Sequence, residues 1–406
     1  MVGLERSTLP LIGHDSFGVR STAVVVSFIV AFGLAKASTT LAAGAFADRI
    51  GKPRLLVIGW ALALPVPALI LAAPGWPWIV AANVLLGVNQ GLAWTMTLLM
   101  KIDLVGPKRR GFALGLNEAA GYGGLALAAA ASGWLATDFA PRNVLVVGAC
   151  VVAATGLFLS LVFVRDTSQH LALERLASRR GRGESRPAFR HAFTDATYRN
   201  PALRSYSQAG LVNNLNDALA WGLVPLYLAA HGAHPGEIGL VAGLYPAVWG
   251  VSQIWAGHWS DTVGRKPPIV GGMLLQATAL AVLATSEGRV PVAVVAAALL
   301  GFGTALVYPT LIAAVSDAVA PVARAPTVGV YRFWRDMGYV VGGVGAGIAA
   351  DAIGFGGAIA IVAGLTAASG LWVWVDMPAR GLHTESGATR VVVDRTEKRA
   401  RTDVFG

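Results

Sequence analysis

The chain has 406 residues, 55% of them hydrophobic and 13% charged, with a formal net charge of +10 and a mean hydropathy of +0.60. Soluble domains carry roughly 25% charged residues, so composition argues against a water-soluble globule, and it argues against nucleic-acid binding, which needs a basic face on a soluble fold. The single cysteine, Cys150, excludes an intrachain disulfide and a cysteine metal cluster, and it reads as packing within an apolar run.

In chain order, Met1–Arg20 carries Glu5, Arg6, Pro10, His14, Asp15 and Arg20. Charges of this density do not cross a bilayer, so residues 1–20 are expected to be an extracytoplasmic segment. Apolar runs follow near 22–47, 54–72, 79–101, 111–136 and 143–164. The Arg-rich stretch 165–204 is expected to be a cytoplasmic linker on the inner leaflet. Further runs lie near 205–229, 237–259, 268–286, 290–314, 327–350 and 355–376. Each is about the 20 residues a helix needs to cross a hydrocarbon core of ~30 Å. Nothing alternates in the manner of a barrel strand. The fold class is therefore an all-α polytopic membrane protein of about eleven spans. It has an N-terminal bundle over 21–164, a C-terminal bundle over 205–376 and a disordered tail over 377–406.

Charge in the loops alternates. Arg49, Lys52 and Arg54, then Lys108, Arg109 and Arg110, then Arg265 and Lys266, then Arg324 occupy one set, while the other set is nearly free of Lys and Arg. The positive-inside rule makes the first set cytoplasmic, together with the linker and the C-terminus.

The chain repeats itself. Gly44-Ala-Phe-Ala-Asp48-Arg49-Ile-Gly51-Lys52-Pro53-Arg54 returns as Gly257-His-Trp-Ser-Asp261-Thr-Val-Gly264-Arg265-Lys266-Pro267, with Asp48 and Asp261 213 positions apart. Leu85-Leu86-Gly87, Asp103 and Arg110 return as Leu299-Leu300-Gly301, Asp317 and Arg324, displaced by 214. Two unrelated elements recurring in one order at nearly one displacement identify two homologous halves. Glycines permit tight turns between spans, and carboxylates near helix ends can form charge-assisted bonds to neighbouring arginines. Gly44, Asp48, Arg49, Gly51, Asp103, Arg110, Gly257, Asp261, Gly264, Arg265, Asp317 and Arg324 are accordingly the candidate gating residues. The alternative is that the basic residues only fix topology.

The Gly-x-x-x-Asp-Arg-x-Gly-Lys/Arg element resembles the signature of the major facilitator superfamily, and the likeness covers essentially the whole chain. It implies a fold of two helical bundles that rock about a central site, hence secondary active transport of a small solute by alternating access. The second copy departs at Thr262, which implies a smaller ion-pair network there. In that family the signature follows the second span of each half, whereas one apolar span precedes Asp48 here. The first helix is thus expected to be missing, with the native start upstream of Met1. Gly87 stands where drug antiporters of the family carry an arginine before Gln90-Gly91, and Gly121-Tyr122-Gly123-Gly124 lacks their proline, which weakens a drug-efflux reading.

Polar groups at mid-span are the candidates for the solute and proton path. Lys36 lies twelve positions before Asp48, about 18 Å along a helix. Asp217 sits at similar depth in the polar run Asn213-Asn214-Leu-Asn216-Asp217. Lys36 could attract an anion or act as a counter-charge, and Asp217 could carry a coupling proton. A static ion pair is the plainer alternative. Glu118 maps onto Arg332 at the 214 displacement, and Arg332, Arg335 and Asp336 share one helix face. Asn89, Gln90, Trp94, Asn117, Tyr245, Trp249, Gln253 and Tyr308 could supply hydrogen bonds and aromatic walls, or merely pack helices.

These residues predict a proton-coupled secondary transporter in the cytoplasmic membrane. Its partners are lipid, a small-molecule substrate and a coupling proton, without nucleic acid, and it works as a monomer. No enzyme constellation, metal set, cofactor motif or nucleotide-binding loop is found. A transporter-like sensor and an inactive truncated fragment are the alternatives.

Overall fold

The computed structural model describes residues 1–105, 110–167, 189–319 and 323–377, and the side chains of 15, 44–49, 102–103, 105, 110–115, 189 and 324–325 fall outside the described set. The described chain is helical, without strand.

The first helix, α1 (Val2–Asp15), corrects the reading of 1–20 as an outer loop. Its 14 residues reach about 21 Å. Glu5, Arg6, Ser7 and Thr8 are at most 1% exposed, because α1 is wedged between helices of both halves. The sequence argument weighed its charges against lipid, whereas here protein covers them.

The first half continues with α2 (Thr22–Val25), α3 (Ser27–Ile50), α4 (Lys52–Ala63), α5 (Pro65–Ala72), α6 (Trp76–Val105), α7 (Arg110–Leu135) and α8 (Pro141–Phe163). After the linker come α9 (Phe189–Thr194), a wide π turn over Asp195–Arg199, α10 (Pro201–Ala218), a second π turn over Leu219–Leu223, and α11 (Val224–Ala230). The second half is completed by α12 (Pro235–Val263), α13 (Lys266–Ala284), α14 (Val290–Asp317) and α15 (Arg324–Asp376). Gly354, at φ +79°, bends α15 into two rods. Eight of these stretches are long and apolar enough to cross a membrane, counting 326–376 as one.

Both copies of the repeated motif make the same turn. Gly51 at φ +95° and Gly264 at φ +88° adopt the left-handed backbone that ends α3 and α12. Proline then stands in the first turn of the following helix, α4 or α13, where its missing N–H costs nothing. The end of the bundle holding these turns is the motif end, and the opposite end is the far end.

At the far end the halves touch backbone to backbone. A Cβ at Gly133 on α7 would collide with the Cα of Gly239 on α12, and one at Gly347 on α15 would stand 2.6 Å from the Cα of Ala23 on α2. The Asp351 carboxylate crosses between halves to accept from the Ser21 hydroxyl at 2.6 Å and from the N–H groups of Thr22 and Ala23 at 2.6 and 3.2 Å. It thereby caps the N-terminus of α2, where orphan N–H groups favour an anion. Asp351→Ala is expected to weaken far-end closure, read as faster hydrogen exchange at 22–26. Unchanged exchange there would remove the capping role.

Within the first half, the Arg142 guanidinium donates to the carbonyls of Ile70, Leu71 and Ala73 at 2.8 to 3.1 Å, closing the C-terminus of α5. Charge-assisted bonds contribute about 1.5–3 kcal/mol. Arg142→Met should therefore lower the thermal midpoint of the purified protein measurably while leaving solute affinity as it was.

The expected linker is described only in part. Residues 168–188 lie outside the described set, but 189–199 pack on the second half, with Ala192 and Ala196 buried. Trp334 on α15 donates its indole N–H to Thr197 at 2.9 Å. The expected tail, from 378 on, lies outside the described residues.

Candidate functional site

At mid-depth residues of both halves line a narrow cavity. The first half contributes Val2 from α1, Phe32 and Lys36 from α3, Gln90 and Trp94 from α6, and Tyr122 and Leu125 from α7. The second half contributes Trp221 from the π turn, Tyr308 from α14, and Arg332, Arg335 and Tyr339 from α15. Pro225 has no N–H to give the Trp221 carbonyl, which accounts for a disturbed helix immediately before it. That turn carries Trp221 into the wall, stacked on Tyr339 at 5.9 Å between centroids.

Asp217 is fully buried. One carboxylate oxygen accepts from the Tyr245 hydroxyl, and the other accepts from the Tyr339 hydroxyl at 3.3 Å. Tyr245 also meets Thr304 at 3.3 Å. Among the described residues no Lys, Arg or His nitrogen is ion-paired to this carboxylate. Neutral hydroxyls alone satisfy it, an arrangement in which gain or loss of one proton leaves no cation stranded.

The second cluster crosses between halves. Arg335 donates to one oxygen of Asp336 at 2.6 and 3.1 Å, and Lys36 stands 4.0 Å from that same oxygen. The other Asp336 oxygen is buried without a partner. The Lys36 ammonium also lies 5.1 Å from the Tyr339 ring centroid, within cation–π range. Arg335 donates to the Tyr308 hydroxyl, which donates to Glu118 at 3.4 Å. Glu118 accepts further bonds from the Trp94 indole at 2.9 Å and from Asn117 at 3.2 Å, and Lys101 donates to Asn117 at 2.7 Å. A network thus runs from α3 through α15 and α14 to α7.

Lys36 and Asp217 therefore belong to one site, joined through Tyr339 rather than to each other. Trp249 lies tilted against Tyr122 at 3.7 Å between centroids and meets Tyr308 at 5.2 Å, behind the wall. Other candidates are helix staples. Asn89 donates to the Gly59 carbonyl at 2.9 Å. Asn213 and Asn216 bond to Gln276, and Asn216 also accepts from Thr366. Asn214 and Gln253 are buried, each with an unpartnered oxygen, and neither lines the cavity.

Of the candidate gating residues, Asp48, Arg49, Asp103, Arg110 and Arg324, with Gly44, have side chains outside the described set. In the second copy Arg265 bonds to Asp261 at 2.5 Å and to Asp317 at 3.0 Å. That triad ties α12 to α14 within one half. It does not bridge the halves here. Gly257 meets nothing within 4 Å that a Cβ would strike.

Sequence reasoning missed Arg6, Tyr122, Trp221 and Tyr339. The Arg6 guanidinium is fully buried, 4.9 to 5.3 Å from the rings of Phe28, Phe32 and Trp221, with no hydrogen-bond partner for its three nitrogens. Tyr339 was within reach, since it lies three residues after Asp336 and seven after Arg332 on the same helix face. For Arg6 the signal was hidden by reading its segment as a loop.

Comparisons with known proteins agree with this geometry. A family model described as Major Facilitator Superfamily matches residues 6–203 and 207–404. Uncharacterised MFS-type transporters of Burkholderia mallei and Burkholderia pseudomallei are 26% identical over 365 residues, covering 87% of this chain and 83% of theirs. Among solved structures, a D-xylose-proton symporter superposes with a TM-score of 0.72 at 15% identity, over 94% of this chain and 96% of that one. An inward-open xylose transporter from E. coli gives 0.67 at 13%, over 93% and 94%. A POT family transporter in complex with 5-aminolevulinic acid gives 0.73 at 13%, over 92% of each. At these identities the solved structures establish a shared fold.

Proposed function

The chain belongs to the Major Facilitator Superfamily and is a multi-pass membrane protein, and we propose that it is a proton-coupled secondary transporter of a small solute rather than an enzyme. It works by alternating access in the cytoplasmic membrane. The motif end, the linker and the C-terminus face the cytoplasm, as the positions of Lys and Arg in the loops favour. The far end is closed by backbone contacts in this conformation.

The observation that carries the reading is the Asp217 site. A carboxyl group is held at mid-depth by Tyr245 and Tyr339, with no ion-pair partner among the described residues and with Tyr339 shared by the solute cavity. Proton and solute thus meet on one side chain. The solved neighbours, which include a D-xylose-proton symporter, support the same class. Lys36–Asp336 and Glu118–Tyr308 link the halves through single contacts that a bound solute could replace, as rocking about a central site requires.

The test is reconstitution of the purified full chain into liposomes, with a panel of radiolabelled small solutes and an imposed pH gradient. Uptake above that of protein-free vesicles, collapsed by a protonophore, is the expected result. Saturable binding without counterflow would identify a solute sensor instead.

A further inference from the structure

We infer that the cavity is built for a small organic acid, one carboxylate on a flat apolar body, held between Lys36 and Arg332. This deepens the transport reading and rests on it for the physiological role of the site.

Charge at the wall is the first argument. Among the described residues the polar groups of the lining are three cations, Lys36, Arg332 and Arg335, the amide Gln90, the hydroxyls of tyrosine and the indole N–H groups of Trp94 and Trp221, and none is a carboxylate. Arg335 is committed to Asp336 and Tyr308. Lys36 is held loosely, at 4.0 Å from Asp336. Arg332 has a buried Nε without a partner and no ion pair among the described residues. A cation so placed is costly to leave uncompensated in a low-dielectric interior, and a carboxylate offers a guanidinium a charge-assisted, planar partner.

What the wall lacks is the second argument. A polyhydroxylated neutral solute needs many amide and hydroxyl partners, since each buried hydroxyl left unpaired costs free energy. Among the described residues Gln90 is the one amide on the wall; Asn89 is committed to Gly59, and Asn213 and Asn216 to Gln276. Instead, indole and phenol rings from Trp94, Tyr122, Trp221 and Tyr339 surround the space, suiting a planar body. Lys36 belongs to the first half and Arg332 to the second, so one carboxylate between them draws the halves together.

Equilibrium dialysis of radiolabelled benzoate against the purified full chain at neutral pH tests this. Saturable benzoate binding is expected, displaced neither by benzamide, its neutral analogue, nor by D-glucose. Arg332→Gln should weaken it at least about tenfold, or 1.4 kcal/mol. Arg332→Lys should recover part of the affinity, and equal thermal midpoints would show that both variants fold. Failure of the parent to bind benzoate, equal competition by benzamide or glucose, or parental affinity in Arg332→Gln would overturn the assignment. Benzoate binding without counterflow would leave it standing and sink the transport reading. Counterflow of glucose but not benzoate would do the reverse.

Discussion

Asp217→Asn is expected to reduce accumulation of the transported solute to the level of simple equilibration. A pH difference of two units across the membrane is worth about 2.7 kcal/mol per proton, so one-to-one coupling can sustain roughly a hundredfold gradient. The asparagine side chain keeps the size of the carboxyl group and can still bond to Tyr245 and Tyr339, the two partners of Asp217, but it carries no exchangeable charge. Counterflow, which needs the solute site and the rocking motion but no net proton movement, should persist. Accumulation in the variant equal to that of the parent, measured in liposomes with the same gradient, would remove Asp217 from the proton path. Loss of both uphill uptake and counterflow would instead place it in solute binding.

Gly133→Leu should hold the far end open. Any Cβ there runs into the backbone of Gly239, so α7 and α12 cannot approach as they do in this conformation. Overpacking of this kind costs about 1–3 kcal/mol, which shifts a two-state equilibrium by roughly 5- to 150-fold. The readout is thiol labelling. With Cys150 replaced by serine and Leu125 on the cavity wall replaced by cysteine, a membrane-impermeant reagent added from the far side should react much faster in the Gly133→Leu background. Gly123→Leu supplies the control, since Gly123 faces open space on the same helix. Equal rates in the two backgrounds would mean that the Gly133–Gly239 contact does not govern access.

The order of the helices and the two-half plan were legible because each rests on a long, redundant signal. Apolar runs of span length and a repeat offset of 213 to 214 residues survive local ambiguity. The depth of Lys36 and Asp217 followed from helix rise alone, and both sit at the central site. Partnership was not legible. Nothing in the spacing of Asn213, Asn216 and Gln276 says that they bond to each other rather than to a solute, since their contacts join helices some 60 residues apart in sequence. Met1–Arg20 failed for a related reason. A hydropathy argument treats lipid as the solvent, and it cannot anticipate that Arg6 is enclosed by Phe28, Phe32 and Trp221 from both halves. The gating candidates Arg265, Asp261 and Asp317 were legible as a charged set, but not that Arg265 joins two partners of its own half.

The separation between stapling amides and cavity wall bears on how such a protein diverges. Asn213, Asn216, Gln276 and Thr366 fasten α10, α13 and α15 into one unit without touching the lining. Replacing them leaves buried donors and acceptors unsatisfied, a cost of about 1–3 kcal/mol each. Gln90 and Leu125, on the wall, carry no such bonds among the described residues. Descendants of a duplicated copy could therefore exchange wall side chains, and with them the accepted solute, without passing through unfolded intermediates. Selection on recognition and selection on folding would act on different residues of the same helices.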